Sequence, residues 1–221
     1  MNVTERTTLK RHPERGNHDK SVIYEILDEA LICHVAFDSG SGPVVVPTLY
    51  ARVGDTFYIH GSAIGRMLQT IAEGVDVCVN VTLLDGLVFA RSAFSHSMNY
   101  RSVTVFGRGR EVIDRTEKMR ALAATVEHVA QGRWLDARRP SEKELMATTV
   151  IAIPLAEASA KIREGGPKDA EADYTLPVWA GVVPLRTIAG APEPDGRLHG
   201  DATTPDYVAS YARPSAKAAT S

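Results

Sequence analysis

Between residues 75 and 83 the chain alternates without a break: Val75, Val77, Val79, Val81 and Leu83 against Asp76, Cys78, Asn80 and Thr82. A period of two places all five apolar side chains on one face of an extended strand. Asp85-Gly86 follows as a hairpin signal, so residues 87 to 94 are predicted to pair back on it. Further strands are predicted at Leu31 to Phe37, Val44 to Tyr50, Thr56 to His60, Ser102 to Val112 and Thr148 to Pro154. His34, on the first of these, reads as an interior histidine. Pro47 cannot donate to a ladder, so its strand is predicted to have an open side there.

Helical signals are fewer. Asp19 or Ser21 can cap a short helix that buries Val22, Ile23, Ile26, Leu27 and Ala30. Thr116 is placed to cap a helix through Val129, with Leu122, Val126 and Val129 facing inward, and Ser141 and Glu144 have capping-box spacing. Antiparallel strands in hairpin order with inserted helices fit a mainly β fold, a β-barrel with flanking helices, better than a doubly wound sheet. Residues 1 to 20 carry Arg6, Lys10, Arg11, Arg15 and Lys20 with almost no apolar content, and read as an arm without a strand. One domain is expected over residues 1 to 221: the arm, a barrel with its helices over 21 to 190, and an extension over 191 to 221. Periodicity is lost in that extension, and its end, 214 to 221, is expected to be disordered.

Composition removes several function classes. A net charge of −2 over 221 residues lacks the basic excess of a nucleic-acid-binding face. No apolar run reaches the length of a membrane span, and the N-terminus is too charged for a signal peptide. Cys33 and Cys78 lie in apolar runs and read as small buried side chains, which fits a reduced, cytoplasmic protein. No metal-ligand spacing and no Ser-His-Asp set can be defended, and Gly107-Arg108-Gly109 is no dinucleotide fingerprint.

Chemistry concentrates between Pro47 and Gly74. A strand ending in His60 runs through Gly61 toward a helix in which Ser62 is the predicted N-cap. Ile64, Met67, Leu68 and Ile71 form its predicted apolar stripe, and Gly74 its stop. The free amides of such a corner, with Arg66 beside them, suit a phosphate.

The segments HGSAIGRM at 60 to 67 and NYRSVTVFGRG at 99 to 109 resemble the flavin-binding split barrels related to pyridoxamine 5′-phosphate oxidase, in particular the branch of the nitroimidazole-resistance proteins. The similarity runs from about residue 22 to residue 185. It implies a six-stranded antiparallel split barrel that binds FMN at the subunit interface of a homodimer. It also implies site residues. Pro47, Thr48 and Leu49 would lie along the flavin ring, largely through main chain. His60, Gly61, Ser62, Gly65 and Arg66 would surround the phosphate end. Tyr100, Arg101 and Ser102 would join from the second motif; Trp179 reads either as a core residue or as a cover for the ring from the partner. Met67 stands where many relatives carry a lysine.

The activity implied is that of an FMN-dependent oxidoreductase passing electrons to a small organic substrate such as a nitro compound, with His60 as proton donor. Two alternatives stay open. One is a flavin- or haem-binding protein without turnover, where haem needs an axial histidine facing an apolar cavity. The other is oxidation of pyridoxamine 5′-phosphate itself, for which no second phosphate site is found.

Overall fold

A computed structural model describes residues 1–200 and 202–212; the expectation for 214 to 221 lies outside them. The described residues form ten strands: β1 (Gly16–Asn17), β2 (Ile32–Asp38), β3 (Pro43–Val53), β4 (Thr56–Ser62), β5 (Asp76–Phe89), β6 (Ser97–Arg108), β7 (Arg110–Glu111), β8 (Thr148–Pro154), β9 (Glu157–Arg163) and β10 (Gly181–Pro184). Six α-helices accompany them among the described residues: α1 (Lys20–Glu29), α2 (Arg66–Ala72), α3 (Arg115–Val129), α4 (Arg133–Asp136), α5 (Glu142–Met146) and α6 (Asp206–Ala209). All pairing is antiparallel, in the order β1-β9-β6-β5-β2-β3-β4-β8-β7, with β10 added against β5. This is a split barrel, of ten strands and not six.

The alternation in the sequence decides the interior. Cys33, Val35, Phe57, Ile59, Val79, Val103, Ile151 and Ile153 point inward and are almost wholly buried. Helix α1, capped by Asp19 accepting from the Ser21 amide, closes one end with Ile23, Ile26 and Leu27. Tyr50 stacks on Phe57 at 4.4 Å and donates its hydroxyl to the Leu27 carbonyl at 2.6 Å. A second, smaller cluster lies on the other side of β4 and β8, where Tyr58, Val112, Val150 and Ala152 meet Ala121 of α3.

Five local expectations are corrected. No hairpin forms at Asp85-Gly86: β5 runs on for 14 residues, and the chain reverses later, over 90–96. Gly86 answers a different need, since a Cβ there would meet the Val183 carbonyl of β10 at 3.1 Å. The arm is not strand-less, because β1 pairs with β9 and Thr7 is fully buried. Helix α3 is capped by Asp114, whose carboxylate accepts from the Glu117 amide. That earlier start turns Ala121 and Thr125 inward, leaving Leu122 and Val126 half-buried and Val129 exposed. His34 is exposed, on the outward face of β2. Helix α2 starts at Arg66 with Gly65 as N-cap and no side-chain cap, so Ser62 ends β4 instead, and Ile64 is 86% exposed outside the stripe.

Candidate functional site

The barrel opens where β3 and β4 change partners. Through Pro43–Leu49, β3 pairs with β2; from Tyr50 to Val53 it pairs with β4. Strand β4 pairs with both β3 and β8 as far as Ile59, and its last three residues, His60, Gly61 and Ser62, pair with β8 alone. Two groups of predicted residues, 47–49 and 60–62, therefore flank one split in the sheet. Past it, the chain turns tightly into α2: the Gly65 amide donates to the Ser62 carbonyl at 2.8 Å, and a Cβ on Gly65 would sit 2.9 Å from that same oxygen. The turn thus requires glycine at 65. It leaves the amides of Arg66, Met67 and Leu68 ahead of the first intrahelical bond, from Gln69 to Gly65. Arg66 is exposed and forms no ion pair among the described residues; Met67 is half-buried and packs on the core, which accounts for its place in the helix.

The second motif is divided by the pleat. Tyr100 and Ser102 share the outward side of β6, whereas Arg101 has the same parity as the buried Val103. Its guanidinium is engaged on two sides, with Glu29 at 2.5 and 3.0 Å and with Asp85 at 2.8 and 3.0 Å. These carboxylates hold it firmly in the charged form. Arg101 thus ties α1 to the sheet, and its fork is not free for a ligand on the outward face. The Ser102 hydroxyl donates to the Lys161 carbonyl at 3.3 Å. Along the outward face Ser102 lies opposite Thr82, and Ile32 lies opposite Leu49. The row from β6 to β3 thus spans three strand spacings, about 14 Å. Trp179 is 67% exposed and leans on Phe89 of β5 with ring centroids 6.0 Å apart, so it is no core residue.

His60 points away from that face, toward α3. It lines a cavity of about 330 Å³ whose walls include Leu122 and Val126 of α3, Trp134 of α4 and, at the rim, Arg138 and Glu144. Thr125, also in the wall, donates its hydroxyl within its own helix, to the Ala121 carbonyl. His60 Nδ1 is buried without any hydrogen-bond partner among the described residues. A buried polar atom left unpaired is costly, and native proteins rarely tolerate one without a use for it. Burial also pushes the imidazole below its ordinary range. His60 is therefore neutral at pH 7, which suits a ligand to iron better than a proton donor. No other predicted site residue lines this cavity.

A larger cavity, about 640 Å³, lies between α1, β3, the end of α3 and residues 207–212. Several of its polar groups already have partners. Arg52 donates to Asp28 and to the Gly54 carbonyl, Glu127 accepts from the amides of Gly132 and Trp134, and His128 Nε2 is 2.7 Å from the Ala30 carbonyl. The smaller cavity, with its orphaned nitrogen, is the candidate site.

The profile of the family described as pyridoxamine 5′-phosphate oxidase matches residues 19–162. The chain belongs to the pyridoxamine 5′-phosphate oxidase family. Two solved structures of the same fold are similar along nearly its whole length. The flavocytochrome Anf3 from Azotobacter vinelandii is 39% identical, with 93% of this chain and 95% of that one covered and a TM-score of 0.88. The FAD and haem binding protein from Mycobacterium smegmatis is 36% identical, with 88% and 95% covered and a TM-score of 0.84. A protein from Bacteroides thetaiotaomicron assigned to 5-nitroimidazole antibiotic resistance is more distant. It is 25% identical over 66% of this chain and 86% of that one, with a TM-score of 0.57. A search of curated proteins finds no match. No helix among the described residues of this family member is long and apolar enough to cross a membrane.

Proposed function

We propose that this member of the pyridoxamine 5′-phosphate oxidase family is a redox protein that binds both a flavin and a haem, with His60 as the protein ligand to the haem iron. The observation that carries the reading is the half-buried, neutral His60, whose orphaned Nδ1 is buried in a cavity with Leu122, Val126, Trp134 and Pro140 in its wall. Haem is commonly held through one histidine, and its ring needs apolar walls such as Leu122, Val126 and Trp134 provide. Two relatives above 30% identity, a flavocytochrome and a FAD and haem binding protein, support the same pair of cofactors.

The flavin belongs, on this reading, to the split beside Pro47–Leu49 and Gly61–Ser62, with its phosphate end at Gly65 and Arg66. FMN is the flavin that the single corner accounts for in full; FAD, bound by the Mycobacterium smegmatis relative, needs room beyond it. Tyr100, Ser102 and Trp179 lie on or beside the outward sheet face. A second copy laid on that face would bring them to the same ligand, which supports a homodimer with the flavin between its subunits. Phe89, Met98, Trp179 and Val183 are exposed together at the β5–β10 end and offer it an apolar seat. When bound, flavin and haem supply two-electron and one-electron transfer; the chain supplies grip, orientation and a dry wall. A small organic oxidant such as a nitro compound is the electron acceptor we propose for the flavin.

The absorption spectrum of the purified protein tests the whole reading. Flavin bands together with a Soret band are expected, and His60→Ala is expected to lose the Soret band and keep the flavin bands. A wild-type spectrum with flavin alone, after growth with ample haem, would remove the haem half. Chromatography of the released flavin separates FMN from FAD.

A further inference from the structure

The groups that line the cavity at His60 differ in exposure. The imidazole Nδ1 is buried, Leu122, Val126, Trp134 and Pro140 supply apolar wall, and the one arginine of the lining, Arg138, is largely exposed. The Arg138 fork closes on both oxygens of Glu144, with Nη1 at 2.9 Å and Nη2 at 2.7 Å, and Nη1 also reaches the Arg139 carbonyl at 2.8 Å. The neighbouring cation, Arg139, is laid over the Trp134 ring at 4.4 Å. Arg138 itself is 70% exposed, so its swing is unhindered by packing.

Glu144 is held independently of it. As the third residue of the capping box of α5, its carboxylate accepts from the Ser141 amide at 2.7 Å and from the Ser141 hydroxyl at 2.9 Å. It keeps those partners if Arg138 leaves. A fork-on-fork guanidinium–carboxylate pair is the geometry in which arginine receives any carboxylate.

We propose that Arg138 is the receptor for a carboxylate borne by the molecule in the His60 cavity, and that Glu144 is the stand-in that occupies the fork until that molecule arrives. The inference rests on the haem reading above, because haem carries two propionate carboxylates that such a fork would receive. It goes beyond that reading by assigning a positioning residue and a competitor for it. Ligand entry is then an exchange of one carboxylate for another on the same guanidinium. The side chain that leaves remains bonded to Ser141, so no charge is stranded.

Haem-free full-length protein titrated with hemin, and separately with hemin dimethyl ester, tests the exchange by Soret absorbance. The ester keeps the ring and iron and hides the carboxylates. Arg138→Gln is expected to weaken hemin by about tenfold, the scale of one charge-assisted contact, and to leave the ester unchanged. Glu144→Gln is expected to tighten hemin, since glutamine preserves the capping box while releasing the fork. Arg138→Lys should fall between, with charge but no fork. Unfolding midpoints close to wild type for all three variants check that the exposed pair is not merely a clasp for α5. Equal hemin affinities of wild type and Arg138→Gln, with His60→Ala abolishing the Soret shift, would overturn this inference and leave the haem reading standing. Equal weakening of hemin and ester by Arg138→Gln would also overturn it. Failure of the wild type to bind hemin at all would remove both together.

Discussion

Phe57 and Ile59 on one face of β4, and Tyr58 and His60 on the other, differ in what covers them. The inward pair has no exposed surface and is packed on every side by the barrel core. On the outward side Tyr58 is buried too and donates its hydroxyl to Glu117 at 2.9 Å, but two residues on, beside His60, the packing gives way to a cavity. One strand thus borders a filled interior and an unfilled one. The difference teaches where to look for function in such a fold. The barrel interior is filled by residues with nothing left to offer, whereas the smaller cluster under α3 leaves space and an unsatisfied nitrogen.

The largest effect that could break this comparison is on stability. Phe57→Ala is expected to cost about 3–5 kcal/mol, the usual range for an emptied aromatic site in a tight core. Leu122→Ala, across β4 in the cavity wall, should cost only about 1 kcal/mol, because it enlarges a space that already exists. Urea unfolding of the two variants measures both, and equal losses would mean that the two sides of β4 are packed alike.

Next comes the pair of arginines that the sequence placed in the same site. Arg66→Ala should weaken flavin binding by about 1.5–3 kcal/mol, the worth of hydrogen bonds to a charged group. The fold should be unaffected, since Arg66 is exposed. Arg101→Met should do the reverse. It takes the shared guanidinium away from Asp85 and Glu29 in a half-buried setting, at a cost of about 2 kcal/mol in unfolding free energy, with the flavin affinity unchanged. Flavin titration beside chemical denaturation separates the two. A loss of flavin affinity in Arg101→Met with stability intact would return Arg101 to the binding site.

Much of the fold could be read in the chain because its signals were local. The alternation of β5, the Asp19 cap of α1 and the Ser141–Glu144 capping box each need only a few consecutive residues. Strand β9 left little trace because its core positions are Ala158 and Ala160, small residues that lack the β-branched and aromatic signal of a strand. Gly86 was misread for the same kind of reason: a glycine next to aspartate signals a turn, while here it makes room for a strand that arrives almost a hundred residues later. At the site, His60 was legible through its motif, but its surroundings were not. The cavity is assembled from α3 and the segment from Trp134 to Thr148, and no local pattern ties these to β4. Arg101 shows the opposite failure. It sits inside a recognisable motif, yet the two-residue period of the strand turns it inward, a consequence that could have been drawn from Val103 and Val105 alone.

The smallest effect, and the finest test of the contrast across β4, is a dependence on pH. Burial lowers the affinity of the folded His60 for a proton, whereas in the unfolded chain it titrates near the ordinary value of about 6.5. Above that value both states carry a neutral ring and pH has no leverage through this residue. As pH falls below it, the unfolded state takes up a proton that the folded state refuses, so stability declines until the folded-state value is reached. The slope in that window cannot exceed the limit for one proton, about 1.4 kcal/mol per pH unit. Other groups titrate in the same range, so the informative quantity is the difference between wild type and His60→Gln. Urea unfolding of the haem-free protein at pH 7.5 and at pH 5.5 is expected to show a larger loss for wild type than for the variant. Identical losses would mean that His60 accepts its proton as easily folded as unfolded. The nitrogen at the base of the cavity would then be reached by water, and the contrast between the two faces of β4 would be one of packing only, without the dry, neutral imidazole that an iron ligand requires.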